Sequence, residues 1–160
     1  MSLWQSLSLW DWARRAYDAP GVQAACLSLQ DEHGQSVCLL LWAGWAAAGG
    51  RWPDAAGLAE AAALARTWER DVIGPLRTAR RGLKAAPAIG EAARQALRAR
   101  VQADELAAER ALLDTLEAVS GAGAAVPDGP AGALRAASAA WGHAAPQQAL
   151  ETLARAFPRG

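Results

Sequence analysis

From Val37 to Ala48 the chain reads VCLLLWAGWAAA, apolar at every position but Gly44. A helix of that composition has no polar face to turn to water, so other elements must surround it. The run is about half of the ~20 residues that cross a bilayer, so it is read as a core helix and not as a membrane span. Ser36 supplies an N-cap in front of it and Gly49-Gly50 stops it. Upstream, Val22, Cys26 and Leu29 recur at helical spacing, with Asp18 as a cap and Pro20 in the first turn. Gly34 can take the left-handed conformation that ends a helix. Pro20 to Gly50 is therefore predicted to be a helical hairpin with a short connection, buried at the centre of the fold. Gly44, between Trp42 and Trp45, leaves room for another helix to approach.

The remainder has to cover that hairpin. A chain of 160 residues suits one domain, and folding at this size buries about 70% of the surface the unfolded chain exposes. Ala and Leu dominate while Tyr and Phe occur once each, which argues against sheet. The fold class is all-α, a compact helical bundle of about five to seven helices. Ser2 is read as capping a first helix that runs to about Tyr17. Leu3, Leu7 and Trp10 share its main face, Trp4 and Tyr17 widen it, and Leu9 and Trp12 turn away. This helix is either a lid over the hairpin or an exposed aromatic patch for a partner or a membrane surface. Asp54 caps a helix running toward Lys84, and Gly74-Pro75 predicts a kink or break near Val72. Ile89 to Ser120 reads as one long helix with a seam of Leu97, Val101, Leu106, Leu112, Leu113, Leu116 and Val119. Residues 1–120 are the expected bundle core and 121–132, GAGAAVPDGPAG, a linker. Residues 133–160 form short helices, docked or mobile.

The candidate chemistry is sparse. Sixteen basic and sixteen acidic residues balance, so no global field favours nucleic acid or an acidic membrane. The first fifteen residues lack the basic start and apolar run of a signal peptide, so a cytoplasmic location is expected. Cys26 and Cys38 form no metal-ligand or redox motif and read as buried thiols, though facing helices could bring them together. Phosphate loops, nucleophile elbows and zinc signatures do not occur, so no catalytic residue, cofactor or metal is assigned. Two constellations remain. Asp31, Glu32 and His33 gather titratable groups next to the core. Arg66, Arg70, Arg77, Arg81 and Lys84 are spaced along one helical face with Arg80 beside it. Guanidinium forks match carboxylates and phosphates, so this stripe is either a docking surface or a face neutralised by acids of neighbouring helices.

The stretch LWDWARRAYDAPGVQAACLSLQDEHGQSVCLLLWAGW, followed by WERDVIGPLRTARRGLK, resembles a family of short bacterial proteins catalogued as domain of unknown function 2390. Tyr17, Pro20-Gly21-Val22, Ala25-Cys26-Leu27, Leu29-Gln30-Asp31, Gly34, Leu39-Leu40-Leu41, Trp68, Leu76, Arg77, Arg80, Arg81, Leu83 and Lys84 carry the resemblance. It spans roughly the first two thirds of the chain. It implies a single-domain cytosolic bacterial protein and brings no activity, cofactor or catalytic residue with it.

Two function classes fit. The first is a small cytoplasmic non-enzymatic binding or regulatory protein. Its basic face, with Trp4 or Trp12, would hold an acidic protein partner. The alternative is a small helical enzyme or anionic-ligand-binding protein. Its pocket would lie between the Asp31–Gly34 loop and the basic helix. Asp31, Glu32, Arg77, Arg80, Arg81 and Lys84 are the candidate binding residues of the two. Nucleic acid is not an expected partner in either.

Overall fold

The computed structural model describes residues 3–121, 123–126 and 128–158. Within them the chain is helical, with no strand. A 3-10 turn, Leu3–Ser6, precedes α1 (Leu9–Asp18), α2 (Val22–Asp31) and α3 (Val37–Ala48). Next come α4 (Ala55–Trp68), a π turn (Glu69–Ile73) and α5 (Gly74–Lys84), which run on as one rod. The long α6 (Glu91–Ala118) follows, then α7 (Gly129–Trp141) and α8 (Gln147–Ala156).

The bundle is built around α3. Every residue from Cys38 to Ala46 is buried, and α1, α2, α4, α6 and α7 all pack on this helix. Ser36 caps it, its Oγ accepting from the Leu39 N–H at 3.2 Å. Asp54 does the same for α4, Oδ1 accepting from Gly57 N–H at 2.9 Å. Gly44 is an access point, as its position suggests, but for a side chain and not a helix. A Cβ there would stand 2.4 Å from the Phe157 ring, which also meets Trp12 edge-on at 5.1 Å.

The first helix differs from its sequence reading. The Ser2 cap lies outside the described residues. α1 starts later, where Ser8 Oγ accepts from Asp11 N–H at 3.1 Å and the Glu117 carboxylate takes the Leu9 N–H at 3.0 Å. The 3-10 turn before it breaks the helical phase, so Leu3 and Leu7 do not continue into α1. Its buried face is Leu9, Trp12, Ala13 and Ala16, the side that the periodicity from Ser2 had turned away. Trp12 is a core residue, and Trp4 is half-buried against the core. Neither forms an exposed aromatic patch. Asp18 ends α1 instead of capping α2. α2 begins after Gly21, whose φ of +86° is open to glycine and strained for other residues.

The Gly74-Pro75 disturbance takes the form of the π turn. Pro75 has no N–H to give, and in an α-helix its ring would strike the carbonyl four residues back. Widening the turn avoids the clash, and Gly74 N–H bonds to Glu69 O, five residues back. Gly74 has to be glycine for space, since a Cβ would sit 2.5 Å from that same oxygen.

In α6 the buried residues are Glu105, Ala108, Leu112, Leu113 and Leu116. Leu97 and Leu106, read as part of one seam, are 44% and 54% exposed. The seam stops because α5 and the first half of α6 form a hairpin with little else packed on it: from 74 to 104 no residue is buried.

Beyond α6, residues 122 and 127 of the predicted linker lie outside the described residues. The rest of that segment is held by Gly121 N–H on Arg51 O at 2.8 Å and Ala124 N–H on Trp52 O at 2.9 Å. α7 starts already at Gly129, with Pro130 in its first turn. It packs on α3 and α4, and α8 packs on α2 and α7.

Candidate functional site

The six candidate residues fall on three elements: Asp31 at the end of α2, Glu32 just after it, and Arg77, Arg80, Arg81 and Lys84 on α5. Antiparallel packing of α5 on α6 sets acids against these bases. Arg77 is the hub. Its Nη1 donates to Glu69 Oε1 at 2.6 Å and its Nε to Glu105 Oε1 at 3.2 Å. Its Nη2 stands 3.9 Å from Glu109 Oε1. Arg80 Nε donates to Glu105 Oε2 at 2.5 Å. The π turn is what brings Glu69 round to this face, by adding a residue to the turn between it and Arg77. Glu105 is buried and Arg77 half-buried, with side chains 8% and 13% exposed. The pair of forks on one carboxylate is a structural ion cluster. The hydrogen bond from Arg80 to Glu105 strengthens its hold on the proton.

Arg81 and Asp31 meet directly, Nη2 to Oδ1 at 2.6 Å. The Gln30 amide, and after it Arg81, holds the Asp31 carboxyl below its usual range. The Asp31–Gly34 loop and the basic helix are thus closed by a contact at this point, with no open space between the two charges. Glu32 and Lys84 are exposed and enter no ion pair among the described residues. Arg66 leaves the predicted stripe altogether: it caps α7 by donating to the carbonyls of Ala140 and Trp141 at 2.7 and 3.2 Å. Arg70 pairs with its neighbour Asp71 at 2.6 Å. The stripe is therefore not a continuous bare face.

His33 and His143, far apart in sequence, belong to one clasp. His143 Nε2 lies 3.0 Å from His33 O, and Trp141 Nε1 donates to Gly34 O at 2.8 Å. Beneath them Ala145 N–H donates to Ser138 Oγ, and Ser138 Oγ–H to Gln35 Oε1, each at 2.8 Å. Gln35 Nε2 completes the chain on His143 O at 2.9 Å. The His143 imidazole is thus engaged with backbone, and His33 takes part through its carbonyl. Among the described residues no three His, Cys, Asp or Glu side chains are grouped to hold a metal ion. Cys26 and Cys38 are both free and buried. Burial pushes the Cys26 thiol up to about 12 and that of Cys38 well above its ordinary value, which leaves both unreactive.

The residues that sequence reasoning missed lie on α6. Between Leu76 and Ala103 stand Arg77, Arg80, Arg81, Lys84, Arg94, Arg98 and Arg100 against one acid, Glu91. In a chain with no net charge this is a strong local excess, and the fold gathers it on one hairpin arm. Arg98 Nε is enclosed yet has no hydrogen-bond partner among the described residues. The signal was available as a windowed charge count, but only the topology puts the two helices side by side.

Residues 8–116 match the family described as "Protein of unknown function (DUF2390)". The chain belongs to this family. No curated protein and no solved structure matches it. Membership thus adds no activity to the geometry, and the matched range ends inside α6, before α7 and α8. Among the described residues no helix is long and apolar enough to cross a membrane.

Proposed function

We propose that this chain is a small cytoplasmic non-enzymatic binding or regulatory protein whose basic α5–α6 arm holds an acidic protein partner. The observation that carries this reading is the arm itself. Its residues 76–103 hold seven cations and one carboxylate, and none of them is buried. The face differs from the stripe read along α5. Arg77 and Arg80 are committed to the buried Glu105, whereas Arg81 pairs with the exposed Asp31 and is itself 54% exposed, so the docking charges are Arg81, Lys84, Arg94, Arg98 and Arg100.

Exposed Ile89 and Leu97 accompany those charges. Alternating Arg and Leu suits an acidic amphipathic helix, which offers carboxylates and an apolar stripe together. It suits nucleic acid less well, because the arm carries no aromatic side chain to stack on bases.

The test uses a synthetic helical peptide of Glu and Leu at heptad spacing, labelled for fluorescence anisotropy. Binding is expected to weaken steeply between low and physiological salt. It is expected to vanish in an Arg81/Lys84/Arg94/Arg100→Gln variant whose circular dichroism is unchanged. A single-stranded oligonucleotide and anionic lipid vesicles serve as competitors of other classes. Stronger binding to either of them, or unaltered peptide binding by the variant, would overturn the reading.

A further inference from the structure

A cleft of about 300 Å³ opens between α1, α3 and α6, with Gln30 of α2 at its edge. Its walls are apolar: Trp10, Leu41, Leu106 and Leu113. Leu106, 54% exposed, is otherwise a leucine facing water without reason. Two polar side chains lining it, those of Glu109 and Tyr17, are without a close donor. The Glu109 carboxylate is 31% exposed and has Arg77 no closer than 3.9 Å. Neither it nor the Tyr17 hydroxyl makes a hydrogen bond among the described residues. A half-buried carboxylate whose one cation stands no closer than 3.9 Å is open to a nearer charged donor. The rest of the polar lining is Gln30, Cys38, Asp18 and Arg14, the last two exposed.

We infer that this cleft binds a small primary amine with an apolar body, its ammonium group on the Glu109 carboxylate and its body against Trp10, Leu41 and Leu113. The inference is independent of the acidic partner proposed for the arm. An ammonium brings the donors that Glu109 and Tyr17 lack, and a charge-assisted hydrogen bond is worth about twice a neutral one. The groups around Glu109 bear on its ionisation from every packed element: Arg77 and Arg80 from α5, Glu69 from the π turn, Glu105 on its own helix, Tyr17, Asp18 and Arg14 from α1, and Cys38 from α3. Burial first, and Glu105 next, push the Glu109 carboxyl up to about 6. A bound ammonium would draw it back to the ionised form, so proton and ligand compete.

The probe is phenethylamine titrated into the full chain by calorimetry, with 2-phenylethanol as its neutral counterpart. Saturable binding of the amine is expected at pH 7, at least about tenfold tighter than the alcohol. Affinity for the amine should fall about tenfold between pH 7 and pH 5 as Glu109 takes a proton, and affinity for the alcohol should not. The Glu109→Gln variant should bind the two compounds alike at both pH values. No saturation by about 10 mM amine, equal affinity for amine and alcohol in the wild type, or a preference that survives Glu109→Gln would each overturn the assignment.

Discussion

Glu105 accepts from two guanidinium groups in a nearly dry setting, and that separates the arginines of α5 into two kinds. Arg77 holds Glu69, Glu105 and Glu109 together, and removing it leaves three carboxylates facing one another with Arg80 alone to balance them. Breaking a buried ion pair by deleting one partner costs about 3–5 kcal/mol, so Arg77→Met is expected to lower unfolding free energy by about 3 kcal/mol in urea titrations. Arg81 is half exposed, and an exposed pair is worth about 0–1 kcal/mol, so Arg81→Met should cost less than ~1. Equal losses in the two variants would contradict this division. The spacing of the α5 cations was legible in the sequence, but their partners were not: Glu105 lies 28 residues from Arg77, and Asp31 lies 50 from Arg81. Helical periodicity reports which side chains share a face and is silent on what that face meets.

Glu109 adds a pH signature at the same scale. Its folded carboxyl titrates at about 6 against an ordinary value of 4.5. A group whose folded pKa is raised binds its proton more tightly when folded. Its contribution is therefore present below about 4.5 and lost as pH rises through about 6. The difference in unfolding free energy between wild type and Glu109→Gln should fall by about 1–2 kcal/mol from pH 4 to pH 7. A pH-independent difference would mean that Glu109 is solvated like a surface acid. Asp31 has the opposite sign, stabilising above its ordinary range and losing that contribution as pH falls below it.

Among the elements, the π turn and the clasp are the two places where the backbone is committed to one geometry. Gly74→Ala puts a methyl 2.5 Å from the Glu69 carbonyl, and backbone cannot move aside as a flexible side chain would. A loss of about 1–3 kcal/mol is expected, with the thermal midpoint falling accordingly. Gly82→Ala, at a position where a Cβ meets nothing, should raise stability slightly through helix propensity. In the clasp, Ser138→Ala leaves the Ala145 N–H and the Gln35 Oε1 without partners. The expected cost is about 1–3 kcal/mol, and the Ala145 amide should exchange its hydrogen faster. Helix identity was readable because caps such as Ser36 and Asp54 are local. The phase of α1 was not, because Ser8 and the distant Glu117 decide where it begins. The clasp was unreadable too, since Gln35 and Ser138 look like ordinary loop and helix residues until α7 lies against the hairpin.

At the scale of the molecule, charge and burial are both unevenly distributed. The arm takes nearly half of the basic residues and almost none of the acidic ones, while burial concentrates around α3. The composition of residues 121–132 suggested a boundary, and the family match ends before it. The packing opposes a break there. Leu134, Leu150, Leu153 and Phe157 are all buried, and Phe157 fills the space over Gly44 between Trp12 and α3. Burying a large apolar side chain contributes about 1.5–3 kcal/mol, so four of them amount to about 6–12. That is comparable to the whole stability of a typical domain, about 5–15 kcal/mol. A fragment ending at Ala118 would also expose the α3 surface on which α7 packs, and Gln35 would lose Ser138. Such a fragment is expected to keep helical circular dichroism, to lose a cooperative melting transition and to bind a dye for exposed apolar surface. Adding residues 119–158 as a separate chain should restore part of the transition if the contacts described carry the energy. A fragment that melts cooperatively near the full-length midpoint would instead make α7 and α8 an appendage, and the core would have to be sought in the first six helices alone.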